Sequence, residues 1–596
     1  VKRALAILLA VAAGLLAAAP ALAQEIPVTR SDAIVMANLD PRVRAERRIH
    51  PDLTPSASVV DGNWEVGYFT GDKEVALAIV DRSTGLVRES WTGYQVAWKM
   101  ARGYSGSFGH KLNAPYVFLP LCAIFLIGLC DWRRMRKAAN LDLLVLLAFG
   151  VSHYFFNRAE IGVSVPLQYV PLVYLFARCL WIGFRGRGEP LRPVWPAAWL
   201  LVAALFLMGF RVGLNLADSG VIDVGYAGVV GADRIADGNQ LYGQFPEDVS
   251  QGDTYGPVNY LAYVPFEQTW PWSGSWDDLP AAHGAAVFFD LATFAALLLL
   301  GIRIRPGPAG RRLAAILGFG WAAYPYTAFV LESNSNDSLV ALLLVCTLLV
   351  LHRPVARGAT LALATLTKFA PLILFPLLAT YRGSGDVAGG ASDGSDADSS
   401  LPAGGADLGD RPSGSEGGGT KSVTGPAGRA LSRTRGSAAF VVAFFTVTLI
   451  LLLPTLLGPG LHEFVSRTIT YQADRDSPFS IWGQVAGLEP LRWAIIAATA
   501  GLALLVAFRP RRKSLAQLAA LAAALLIGLQ LAAQHWFYLY IVWFFPLLMV
   551  ALATISPEPA ASPARSTWPG RRDRSRPPLP SPIRRLRRSR SEPASV

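Results

Sequence analysis

Eleven apolar runs crowd the stretch between residues 114 and 555: 114–131, 141–157, 163–184, 195–216, 282–302, 313–331, 338–352, 437–458, 491–508, 514–533 and 537–555. A helix needs roughly 20 apolar residues to cross a hydrocarbon core about 30 Å thick, and several of these runs sit near the lower limit. No soluble core absorbs so many segments of this kind. Composition agrees: of 596 residues 52% are hydrophobic and only 16% are charged, against about 25% charged in ordinary soluble domains. Lipid must therefore solvate much of the chain, and a large soluble enzyme is excluded. An aromatic content of 11% also excludes a chain disordered throughout. The four cysteines, Cys122, Cys130, Cys179 and Cys346, lie in apolar runs. There a thiol packs as a small hydrophobe, so no disulfide or metal framework is expected.

Charge orders the runs. The net charge is +12, which raises the question of a nucleic-acid partner. Its distribution argues against one. Ten arginines against three acids give the tail, 556–596, a local net of +7. The remaining clusters follow alternate runs: Arg133, Arg134, Arg136 and Lys137; Arg185, Arg187 and Arg192; Arg303, Arg305, Arg311 and Arg312; Arg509, Arg511, Arg512 and Lys513. All fall on the cytoplasmic side of a cell membrane if residues 24–113 lie outside, and eleven spans then leave the tail inside. One further apolar stretch, 358–381, breaks this parity if it crosses once. It is therefore expected to be a re-entrant hairpin from the cytoplasmic side, with Lys368 and Pro371 near its tip.

The polar pieces complete the organisation. Residues 1–23 read as a secretory signal: Lys2 and Arg3, an apolar stretch, then Ala21-Leu22-Ala23 as a small-x-small site. Residues 24–113 read as a small exported α+β domain, with a helix over 30–39 and strands over 63–69 and 74–81 joined onward by the turn Ser83-Thr84-Gly85. Residues 114–194 are accessory spans and 195–555 the core, interrupted by a Gly/Ser/Asp-rich cytoplasmic insert at 383–436 that lacks periodicity. The fold class is thus a polytopic all-α membrane protein of about eleven spans plus the hairpin, with a small α+β domain in front.

The loop at 217–281 carries most of the candidate chemistry. It holds ten carboxylates, among them Asp218, Asp223, Asp233 and Asp248, against the single base Arg234. Tyr226 and Tyr255 are among its tyrosines, and Trp270, Trp272 and Trp276 read as an interfacial belt. Residues 257–270 are expected to lie as an amphipathic helix on the membrane surface. A carboxylate at that edge can take a proton from an attacking hydroxyl; the alternative is a solvated acidic loop.

Further along, Glu332-Ser333-Asn334-Ser335-Asn336-Asp337 occupies the next outer turn, where Asn336 or Asp337 can cap the following helix. Arg475, within Asp474-Arg475-Asp476, can grip a phosphate or pair with its neighbours. Ser477 follows it. His535 can hold a phosphate, carry a proton or be structural. Lys368 is the clear ammonium within an apolar stretch, a functional candidate by default.

These segments together resemble the GT-C class of membrane glycosyltransferases, and most closely glycosyltransferase family 87. The shared stretches are DVGYAGVVGADRIADGNQLYG at 223–243, YGPVNYLAYVPFE at 255–267, ESNSNDSLVALLL at 332–344, LATLTKFAPLILFPLLA at 363–379, YQADRDSPFSIWG at 471–483 and HWFYLYIVWFFPL at 535–547. The stretch VALAIVDRSTGLVRESW at 75–91 resembles a PepSY module. The resemblance implies a polyprenyl-phosphate monosaccharide donor, typically of mannose, and inverting transfer to a glycan or glycolipid acceptor at the outer face. It places the base on Asp223, with Asp218 in reserve. Tyr226, Arg234, Tyr255, Asn336, Lys368, Arg475, Ser477 and His535 become substrate contacts. The acidic loop repels an anionic donor, so cations must offset it, or a divalent cation must bridge carboxylate and phosphate. Two other functions fit such a chain: a transporter or flippase with Lys368 at a midplane site, and a non-enzymatic envelope assembly factor.

Overall fold

The structure is a computed structural model that describes residues 28–556, apart from 61, 72, 103–109, 278, 383–425, 475 and 476. The expected signal, most of the insert, the tail and Arg475 lie outside the described residues.

Residues 28–102 carry helices Arg30–Leu39, Pro41–Ile49 and Tyr94–Arg102 around a four-stranded antiparallel meander, β1 Thr54–Val60, β2 Asn63–Thr70, β3 Lys73–Asp81 and β4 Val87–Thr92. Local chemistry sets these boundaries. Thr29 and Asp32 close a capping box at the first helix, and the Asp40 carboxylate accepts from Arg42 N and Val43 N to start the second. Asp81 accepts from Ser83 and Thr84 and so folds the turn to β4. Those donors, the Ser83 hydroxyl first, hold its carboxyl well below the ordinary range. Ala33, Ala37 and Val43 pack on Val66, Tyr68, Ala76, Ala78 and Val80.

Glu74 opposes that order. Burial and then neighbouring Glu65 push its carboxyl from 4.5 up to about 7. The folded state therefore holds this proton more tightly than the unfolded chain. The stability this site allows is full below pH 4.5 and falls as pH rises through about 7. Glu74→Gln is expected to slow hydrogen exchange across β2 and β3 at alkaline pH and to change nothing in acid. Equal exchange in parent and variant at alkaline pH would contradict this.

Among the described residues, six helices are long and apolar enough to cross a membrane: Ala138–Asn157, Ile161–Arg185, Ala197–Asp218, Pro280–Ile304, Arg435–Leu457 and Glu489–Phe508. A seventh is the pair Gly307–Ala323 and Pro325–Glu332, bent by 55° where Pro325 removes a donor from the helix. Shorter apolar helices, Pro115–Leu129, Asp337–Leu349, Leu515–Leu531 and Tyr538–Thr554, occupy the places of the other expected spans. Length and composition support six or seven crossings, short of the eleven expected. The helix Pro426–Leu457 begins before residue 437 and takes in the end of the expected insert, where Ala and Arg favour helix.

The bundle has two distinct ends. At one, Arg312 donates to Pro193 O (2.8 Å), Gly188 N to Ser556 O (3.0 Å) and Thr380 Oγ1 to Ala507 O (2.7 Å). The basic clusters at 185–192, 303–312 and 509–513 adjoin these contacts. The other end carries the acidic loop. Residues 354–381 leave the basic end, reach Lys368 and return. Tyr381 lies 6.4 Å from the His352 ring and 5.6 Å from the Arg357 guanidinium, back where helix Pro354–Thr367 began. At the tip Lys368 is extended, with φ −140° and ψ 136°.

Among the described residues, ion pairs with a buried carboxylate tie helices together at Arg178–Asp142 (3.0 Å), Arg211–Asp290 (2.8 Å) and Lys368–Asp337 (2.6 Å). Lys368 is thus one of several cations inside the apolar stretches. The expected surface helix at 257–270 is instead two short helices, Pro257–Leu261, buried from Pro257 to Tyr260, and Val264–Glu267, in which Glu267 is buried. Gly228 and Gly231 of helix Asp223–Ala236 explain the difference. Each leaves a hollow that a Cβ would fill, and the rings of Tyr263 and Tyr260 occupy them.

Candidate functional site

Asp223 is the first residue of the loop helix Asp223–Ala236, where a carboxylate meets the favourable end of the helix dipole. It is exposed and lines a cleft of about 190 Å³ with Asp248, Gly252, Thr254, Tyr255 and Tyr471. Asp248 accepts a hydrogen bond from Tyr226 Oη (2.9 Å), whose ring stacks on Trp276 at 4.8 Å. Burial, and then the Asp248 carboxylate, push the Tyr226 phenol well above its ordinary range. Tyr226 therefore stays a neutral donor and fixes Asp248 at the cleft wall. The wall itself is tied down by Tyr242 Oη to Tyr255 O (3.0 Å) and Tyr260 Oη to Gly252 O (2.7 Å).

Tyr255 joins this cleft to the hairpin tip. The Lys368 ammonium lies 5.3 Å from the Tyr255 ring centre, 5.6 Å from that of Tyr540 and 5.4 Å from that of Trp543, a three-sided aromatic cage for a cation. Asp337 Oδ1 accepts from Lys368 Nζ (2.6 Å) and Trp543 Nε1 (2.8 Å), and its Oδ2 from Ser335 Oγ (2.9 Å). Neither Asn336 nor Asp337 caps the next helix as expected. Asn336 makes no side-chain cap and donates to Asn259 Oδ1 (2.5 Å). Both residues are fully buried, and partners inside the bundle outcompete the cap.

The other candidates are dispersed. Asp218 sits at the end of helix Ala197–Asp218, 3.8 Å from both His110 Nδ1 and Lys111 Nζ, and accepts from Lys111 N (3.0 Å). Arg234 lies near the far end of the helix that begins at Asp223, about 16 Å along its axis at 1.5 Å per residue. It donates there to Gln240 O (2.7 Å) and Gln244 Oε1 (3.0 Å). Ser477 and His535 are brought together, Oγ to Nδ1 at 2.8 Å, with Phe479 edge-on and Phe537 parallel to the imidazole. Arg475 lies outside the described residues. The site thus unites Asp223, Tyr226, Tyr255 and Lys368. It adds Asp248, Tyr471, Tyr540 and Trp543, which sequence reasoning did not assign. Among the described residues, no three His, Cys, Asp or Glu side chains cluster as metal ligands. The cleft offers the two carboxylates of Asp223 and Asp248.

No protein-family model matches the chain, and no curated protein matches it. Among solved structures, ArnT from Cupriavidus metallidurans bound to undecaprenyl phosphate aligns with a TM-score of 0.36 and 15% identity, over 60% of this chain. The chain spans 59% of the length of that structure. At this level of likeness nothing about the site transfers.

Proposed function

We propose that the protein is a membrane glycosyltransferase of the GT-C class, similar to family 87, that moves a hexose such as mannose from a polyprenyl phosphate. The observation that carries this reading is a solvent-facing carboxylate, Asp223, in a cleft that shares the Tyr255 wall with the caged Lys368 ammonium. Transfer needs those two groups. A base takes the acceptor hydroxyl proton as its oxygen attacks the anomeric carbon. A cation meets the charge that grows on the departing phosphate. The acceptor oxygen–sugar bond forms as the sugar–phosphate bond breaks, with inversion, and polyprenyl phosphate leaves. Asp223 is the base and Asp218 the reserve. Lys368 is the cation for the phosphate at this site, Arg475 and His535 are further cations that the sequence offers for it, and a divalent cation bridging carboxylate and phosphate is the alternative. In this reading the loop end lies outside the cell membrane, the chain crosses eleven times, and residues 24–113 form an exported PepSY-like domain.

Undecaprenyl phosphate is a suitable probe. Native mass spectrometry of the purified protein is expected to show one tightly held undecaprenyl phosphate and no comparable retention of undecaprenol, the same tail without the anion. Equal retention of both, or of neither, would contradict a phosphate site.

A further inference from the structure

We propose that the buried turn 332–337 is the positioning device that holds the start of the Asp223 helix in register with Lys368, and that Asn334 is its principal positioning residue. The proposal rests on the reading of Asp223 as base and Lys368 as cation.

All six residues of the turn are fully buried or nearly so, although each is polar. Buried polar groups are normally hydrogen-bonded. The turn meets that rule through its backbone carbonyls and the side chains of Ser333, Asn334, Ser335 and Asp337, while both Glu332 carboxyl oxygens and Asn336 Oδ1 have no hydrogen-bond partner among the described residues. The first half of the turn grips the approach to Asp223. Glu332 O accepts from Gly220 N and Ser333 O from Ile222 N, both at 3.3 Å. Asn334 Nδ2 donates to Ser219 Oγ and Gly220 O, both at 3.0 Å. Its Oδ1 accepts from Asn215 Nδ2 (2.9 Å), which also donates to Leu331 O (2.9 Å). The Asn334 carbonyl lies under the first turn of the loop helix, so close that a Cβ at Gly225 would strike it. Residues 219–225 are thus held from both side chain and backbone.

The second half grips the hairpin tip. Ser335 and Asp337 bond to each other, Asn336 reaches Asn259 on the segment after Tyr255, and Asp337 holds Lys368 and Trp543. Only Ser335 and Asn336 therefore separate the anchor of the base, Asn334, from the anchor of the cation, Asp337. Asn334 is also the one residue of the turn with a left-handed backbone, at φ 47°, a conformation that asparagine adopts more readily than most residues. The same residue type serves the bend and supplies three hydrogen bonds to fix the loop.

Asn334→Gly tests this, because glycine keeps the left-handed backbone and removes only the side-chain grip. Transfer is expected to fall on the order of 10- to 100-fold in kcat, since a misplacement of about 1 Å costs that much, while KM for the lipid donor changes less than about twofold. Hydrogen exchange is expected to speed up over 219–226 and to stay unchanged over 337–345. Gly225→Ala, which pushes on the Asn334 carbonyl from the other side, is a second variant with the same expected split. Unchanged kcat in an active parent, or unchanged exchange over 219–226, overturns the proposal. If the parent enzyme shows no transfer at all, the proposed function fails, and exchange alone decides whether the turn holds the loop.

Discussion

Arg211→Met is expected to destabilise the bundle by about 3–5 kcal/mol, the usual consequence of removing one partner from a buried ion pair. Arg211 lies on helix Ala197–Asp218, and its Nη2 donates to Asp290 Oδ1 of helix Pro280–Ile304 at 2.8 Å. Its Nη1 reaches Trp321 O (3.0 Å) and Thr327 Oγ1 (3.2 Å) on either side of the 55° bend. One guanidinium therefore joins three candidate spans. Methionine fills much of the volume but leaves Asp290, which is fully buried, with Trp321 Nε1 (2.8 Å) as its remaining donor. The double change Arg211→Met with Asp290→Leu is expected to recover most of the loss, because the pair itself contributes little beyond its own desolvation. Unfolding by SDS titration reads both. A single variant as stable as the parent would contradict the assignment of this pair as a staple.

The second large effect is catalytic. Asp223→Asn is expected to lower transfer by about 10²- to 10⁴-fold, the usual contribution of a positioned general base. Asparagine keeps the shape at the exposed first position of the helix, so folding is expected to survive. Asp218→Asn is expected to retain much of the activity, because Asp218 is engaged with His110 and Lys111. Loss in Asp218→Asn with full activity in Asp223→Asn would exchange their roles.

Much of this was legible in the chain because lipid simplifies the problem. A bilayer demands long apolar helices, and the runs predicted them to within a few residues: 282–302 became Pro280–Ile304 and 491–508 became Glu489–Phe508. The hairpin expected over 358–381 has a counterpart in residues 354–381, which turn at Lys368 and return beside His352, whereas the parity argument behind it assumed eleven crossings, more than length and composition support. Charges inside the apolar runs, Asp142, Arg178, Arg211 and Asp290 among them, went unused. A buried charge requires a partner, so opposite charges on different runs, such as Arg211 and Asp290, were the signal. The turn 332–337 was misread as a capping site because a sequence shows i to i+3 relations and not the distant Asn259 and Lys368. The helix expected over 257–270 failed for a similar reason. Tyr260 and Tyr263 looked like surface aromatics until the hollows left by Gly228 and Gly231 came opposite them. Asp248, one of ten loop carboxylates, and Tyr471, the first residue of a shared stretch, could not be placed from local pattern, since only the fold puts them beside Asp223.

Sugar transfer itself is the most direct measurement. Purified protein in proteoliposomes would be given polyprenyl phosphate bearing a radiolabelled hexose, together with a glycolipid fraction as acceptor. The account predicts labelled acceptor and free polyprenyl phosphate in equal amounts, with Asp223→Asn forming neither. Labelled donor that crosses the bilayer with its sugar–phosphate bond intact would contradict it and establish a transporter in its place.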